Sequence, residues 1–146
     1  MPKCFVLVAL ALLIGGATGC GAKSSDSGPQ DAAEFNSLVG FYAVLMRTGD
    51  RPKDEADFKA RIRGPLAPMA EKLNVTDVDG LFTSKRDGKP LVIAYGKPFA
   101  WAATGGGQEI IAHEQEGVEG KRLVGFSMGM TEEADQARFD ELVPKK

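Results

Sequence analysis

Histidine and tryptophan each occur once in this chain of 146 residues, and cysteine occurs twice. One histidine cannot assemble the multi-histidine sets on which most zinc sites rest. Charge of one sign is missing as well. Eighteen Lys and Arg stand against 20 Asp and Glu, a formal net charge of -2, so nothing draws the chain as a whole to nucleic acid or to an anionic membrane. No apolar run reaches the length of an ordinary bilayer span: Phe5–Ile14 has ten residues, and the uncharged stretch from Cys4 to Cys20 has 17, at the lower limit. What the chain does have is 43% apolar residues and 18 glycines, a composition that suits one small globular domain and excludes intrinsic disorder. Composition alone selects no partner.

The N-terminus has the layout of a secretory signal peptide. Lys3 supplies a weakly positive start, Phe5–Ile14 the apolar stretch, and Gly15–Gly19 a small-residue approach to Cys20. Ala17-Thr18-Gly19-Cys20 resembles a bacterial lipobox, with Ala17 where leucine is usual. The resemblance implies cleavage between Gly19 and Cys20 and lipidation of Cys20, whose acyl chains hold the protein to a membrane without a transmembrane helix. Cleavage by an ordinary signal peptidase, releasing a soluble protein, and an uncleaved anchor are the competing readings. On the lipobox reading Cys4 leaves with the signal and Cys20 is blocked, so no thiol remains for a disulfide, a metal or a nucleophile. Residues 20–30, rich in Ser, Gly and Pro, read as a flexible tether, and 31–146 as a single domain.

Within that domain Asp31 and Glu34 have capping-box spacing. Phe35, Leu38, Val39, Tyr42, Leu45 and Met46 follow at helical intervals, and Gly49 is placed to end the helix. Asp54 caps a second helix through Arg63, and Pro68–Leu73 suggests a third. Beyond Gly80 the period changes. Leu91–Tyr95 reads as a central strand, Glu109–Gln115 and Arg122–Met128 as two more, with a glycine-containing hairpin loop at 116–120. Thr131 is expected to cap a C-terminal helix bearing Ala134, Phe139 and Leu142. Helices followed by about three antiparallel strands and a short helix predict an α+β fold.

Several motifs invite a chemical reading. Gly125-Phe126-Ser127-Met128-Gly129 matches the G-x-S-x-G nucleophile elbow, which needs a strand before the serine, a helix after it and a histidine base; His113 is the histidine available. His113-Glu114-Gln115-Glu116 groups metal-binding residue types, but strand alternation splits them between two faces, so a solvated strand end is the expectation and no metal is expected. In Asp77-Val78-Asp79-Gly80 the calcium-loop register would put Val75 and Arg86 at ligand positions, which excludes an EF-hand. Gly117–Lys121 lacks the glycine and hydroxyl residue of a phosphate loop. No cofactor is expected. The connection from Gly96 to Gly107 carries Phe99 and Trp101, which form either a contact patch or a cover over the sheet.

Ser84, Arg86, Asp87, Gly88 and Pro90, then Ala112 and Glu114, then Gly120, Lys121 and Arg122 fit a pattern found in small lipoproteins of planctomycete type. The chain resembles that group over these segments, with His113 where tyrosine is usual. The helix-then-sheet order also looks like the head of a type II secretion pseudopilin, although a lipobox stands here in place of the prepilin cleavage site. The resemblance implies no catalytic residue. Asp87-Gly88 reads as a turn and Arg86 as a surface partner of a nearby carboxylate. The expected protein is a lipid-anchored, non-enzymatic interaction or structural module on the outer membrane or periplasmic face, with other envelope proteins as its partners. A pseudopilin-like accessory of a secretion system and a small serine hydrolase are the alternatives.

Overall fold

Helix α1 (Ala33–Arg47) carries its three- and four-residue spacing through to burial: Phe35, Leu38, Val39, Tyr42 and Leu45 are buried, and so are Phe41 and Ala43. The computed structural model describes residues 32–97 and 108–143, together with the backbone of Ala100 and Trp101. Asp31, the expected cap, lies outside these residues. The helix starts from Ala32 without a side-chain cap, and Glu34 pairs with Lys85 at 3.6 Å instead of closing a capping box.

Helix α2 (Glu55–Arg63) is capped as expected, the Asp54 carboxylate accepting the Asp57 amide at 2.8 Å. Its acidic first turn and basic last turn both oppose the helix dipole. Helix α3 (Ala67–Lys72) has its proline in the first turn, where a missing N–H costs nothing. A 3₁₀ turn, Gly80–Phe82, then buries Leu81 and Phe82. Phe58 of α2 links this layer together. Its ring meets Tyr42 edge-on at 5.6 Å and Phe82 edge-on at 5.5 Å, a geometry that aligns ring edges with ring faces.

Five strands follow: β1 (Val92–Ile93), β2 (Ala100–Trp101), β3 (Glu109–His113), β4 (Lys121–Phe126) and β5 (Thr131–Asp135). All pairings are antiparallel, in the order β1-β3-β4-β5, and β2 also pairs with β3. β1 meets β3 at Ala112 and His113 while β2 meets it at Glu109 and Ile110. The two short strands therefore share one edge of β3, and the sheet has four positions rather than about three strands. The Leu91–Tyr95 run, expected at the centre, supplies an outer strand. Part of the Gly96–Gly107 connection, read as loop, is β2.

Thr131 does not cap a helix. Residues 131–135 pair one for one with Gly125 back to Lys121, and helix α4 (Gln136–Leu142) begins only after Asp135, which accepts the Arg138 amide at 2.8 Å. Thr-Glu-Glu-Ala-Asp is a poor strand former in isolation; continuous pairing with β4 overrides the propensity.

Cross-strand partners lie on the same face, and the two faces carry separate cores. Ile110, Val124, Phe126 and Ala134 pack with Phe139 and Leu142 of α4. Ile111, Ala112 and Leu123 pack with α1, α2 and the 3₁₀ turn. A register shift between Ile110 and Ala112 lets two consecutive residues, Ile111 and Ala112, face the larger core. Gly125 is the point where α1 crosses β4: a β-carbon there would overlap the Val39 side chain and lie 3.4 Å from Phe35. Among the described residues no helix is long and apolar enough to cross a membrane.

Candidate functional site

Strand alternation turns Glu114, at the end of β3, toward the α1 face, where its side chain is only 1% exposed. A carboxylate so buried is tolerable only when its oxygens are satisfied. One oxygen accepts the Ser84 hydroxyl at 2.6 Å; the other accepts the Leu123 amide at 2.8 Å and has Arg86 Nη1 3.7 Å away. The Arg86 side chain is 4% exposed and continues to Glu133, donating from Nη2 at 2.8 Å. Arg86 is thus not a surface partner. Its own loop folds it inward, for the Ser84 amide donates to Lys89 O at 2.9 Å and the Gly88 amide donates to Ser84 O at 2.9 Å.

Asp87 ties the same loop to the β3–β4 hairpin. Its carboxylate accepts the amides of Lys89 at 2.9 Å, Gly117 at 2.9 Å and Glu116 at 3.2 Å. Burial pushes this carboxyl up, but those amides favour its charged form more strongly and hold it below the usual carboxylate range. Ser84, Arg86, Asp87 and Glu114 therefore form a clasp between two loops. Most of its polar atoms bond to one another or to backbone amides, so the clasp orders the two loops, while Arg86 Nε is buried without a hydrogen-bond partner.

At the other end of β3 stands Glu109. It pairs with Arg51, whose side chain is 24% exposed. Nearby, the Tyr42 hydroxyl donates to Ala94 O at 2.6 Å. Burial raises the Tyr42 pKa, partly countered by Arg51.

Glu109 also anchors Ser127, whose amide donates to Glu109 O at 2.8 Å while its hydroxyl accepts the Glu109 amide at 3.2 Å. His113 is opposite Val124 in the ladder. Ser127 lies three residue steps beyond Val124, on the order of 10 Å at the usual strand rise. The chain after Ser127 turns into β5 rather than a helix. The register thus does not bring Ser127 and His113 together, and no strand-to-helix elbow forms. The imidazole instead meets Phe139 edge-on at 5.0 Å, and Nδ1 lies 2.8 Å from Glu114 O. Burial lowers its pKa, with Arg122 adding to the effect.

Glu114, Glu116 and His113 do not converge. Among the described residues no group of three or more His, Cys, Asp or Glu could hold a metal ion. Asp77 accepts the Gly80 amide at 2.9 Å, while Asp79 pairs with Lys59 at 3.0 Å and Arg63 at 2.6 Å. The Asp77–Gly80 segment is a turn.

Gly19, Cys20 and Phe99 lie outside the described residues. Trp101 is described only as backbone, paired with Glu109. That pairing places Trp101 in one row with Glu109 and Ser127, at the end of the sheet where α1 finishes. A groove of about 240 Å³ opens there between Met46, Arg47, Ser127 and Met128. A second, of about 250 Å³, lies at the start of α1, lined by Glu34, Ser37, Asn74 and Asp77 among others.

The sequence did not point to Met128 and Met130 as surface residues. They are 64% and 56% exposed, and the available clue was their position on either side of Gly129. No family model, curated protein or solved structure matches the chain.

Proposed function

We propose that this chain is a lipid-anchored protein of the cell envelope, joined to its membrane through Cys20, whose domain serves as a non-enzymatic interaction or structural module. The observation that carries the reading is the order of Phe5–Ile14, Ala17-Thr18-Gly19-Cys20 and the polar stretch 20–30, followed by a fold whose first helix starts at Ala33. The resemblance to small lipoproteins of planctomycete type supports it. The buried polar groups support the non-enzymatic part. Glu114 and Asp87 spend their hydrogen bonds on backbone amides and a serine, and Ser127 spends its own on Glu109.

Contact with other envelope proteins then falls to exposed features. Arg47 and Met128 line the groove at the end of α1. Fifteen helical residues separate this end from the start of α1, about 22 Å at the α-helical rise. The groove is thus held away from the point where the tether joins the domain.

Intact mass of the protein extracted from its host's membrane fraction tests the reading. The expected mass is that of residues 20–146 plus a diacylglyceryl or triacyl group. An unmodified mass, or a soluble product cut elsewhere, overturns it and frees Cys20 as a thiol. Ser127→Ala separately tests the hydrolase alternative: equal turnover on a panel of esters before and after substitution eliminates it.

A further inference from the structure

Met128 and Met130 are the most exposed large apolar side chains among the described residues. They flank Gly129, whose φ of +89° reverses the chain between β4 and β5. Backbone bonds close this turn: the Gly129 amide donates to Phe126 O, and the Phe126 amide to Met130 O, each at 2.9 Å. Neither thioether takes part. Met46 and Met69 differ, both being half-buried and packed against the larger core.

We propose that Met128 and Met130 form a paired oxidation site for small two-electron oxidants, peroxides and hypohalous acids. With hydrogen peroxide, a sulfur lone pair attacks one peroxide oxygen and a sulfur–oxygen bond forms. The O–O bond breaks, and the departing hydroxide leaves as water once it gains the proton lost from the transferred oxygen. Sulfur is oxidised by two electrons and the peroxide is reduced by two.

Access governs which methionines react, and sulfoxide formation converts a flexible apolar side chain into a polar one. Both side chains lie outside the hydrogen bonds of the turn, so the fold survives the change while the surface does not. Met128 also lines the groove beside Arg47, and its sulfoxide places a hydrogen-bond acceptor there. Methionine sulfoxide reductases act on this kind of product, so the modification is reversible in principle. The site does not depend on the lipid anchor.

The experiment is a time course of the full chain with hydrogen peroxide at neutral pH, quenched and mapped by peptide mass spectrometry. Met128 and Met130 are expected to gain one oxygen each at least about tenfold faster than Met46 and Met69. Far-UV circular dichroism and the thermal midpoint should stay unchanged. The Met128→Leu/Met130→Leu variant should keep the fold and lose the fast phase. Equal rates at Met46, Met69, Met128 and Met130, slow reaction at residues 128 and 130, or unfolding that accompanies their oxidation would each overturn the proposal. An unlipidated mass leaves this result untouched, so the two readings fail separately.

Discussion

Each end of β3 carries a carboxylate facing an arginine, and the two pairs are built differently. At Glu109 the Arg51 side chain is 24% exposed; at Glu114 the arginine is 4% exposed. The Glu114 carboxylate compensates by accepting a hydroxyl and an amide, which a lone ion pair of that burial would lack. A buried ion pair offsets its desolvation only when further hydrogen bonds satisfy the remaining lone pairs. The Glu114 cluster also joins two loops, whereas Arg51–Glu109 joins the residues after α1 to the first residue of β3.

This contrast is open to direct attack, beginning with the largest effect. Glu114→Ala takes the acceptor from the Ser84 hydroxyl and the Leu123 amide and leaves the buried Arg86 with Glu133 as its carboxylate, and should cost about 3–5 kcal/mol. Glu109→Ala leaves Arg51 in reach of solvent and should cost about 1–2 kcal/mol. Urea unfolding of both variants reads the difference, and equal losses would erase the distinction between the two ends.

Ser84→Ala probes the neutral bonding on its own. It leaves the ion pair in place but one Glu114 oxygen short of a donor, at an expected cost of about 1–3 kcal/mol. Hydrogen exchange should quicken at the Gly88 amide, which donates to Ser84 O. A loss below that of an exposed surface substitution would mean that Arg86 and the Leu123 amide sustain Glu114 without the serine.

The smallest expected effect concerns pH. His113 adjoins Glu114 on the opposite face of the sheet, and its pKa lies below the ordinary 6.5 because burial penalises the imidazolium. Above 6.5 the ring is neutral in both folded and unfolded chains. As pH falls below that value the unfolded chain binds the proton first, so stability declines until the folded ring is protonated too. His113→Phe should flatten stability across that window, measured by urea midpoints at successive pH values. An unchanged slope would assign the titration to other groups.

Local signals were legible wherever one element decides its own fate. The apolar stripe of α1 and the Asp54 cap of α2 needed no knowledge of the rest of the chain. The α+β order followed from the same local periods. Where partners are distant, the sequence was silent. Glu114 read as a solvated strand end because Ser84 lies 30 residues away. Arg86 read as a surface residue because Glu133 lies 47 residues away. Residues 131–135 carry three acids and one buried alanine, and only the ladder with β4 makes them a strand. The same holds for the short β1 and β2, whose extent is set by what β3 offers on its edge. The EF-hand and phosphate-loop readings fail on residue spacing alone, whereas the His113–Glu116 metal reading is set aside by strand alternation.

The glycine at 125 has a consequence for how such chains are read by pattern. Gly125 is small because Val39 and Phe35 occupy the space beside it. Ser127 is a serine whose hydroxyl receives the Glu109 amide, and Gly129 is a glycine because its backbone is left-handed at φ +89°. Three unrelated packing demands, each met by the cheapest residue available, spell a hydrolase signature where the fold supplies no elbow. A five-letter pattern carries so little information that convergence of this kind is to be expected wherever a helix crosses a strand just ahead of a tight hairpin.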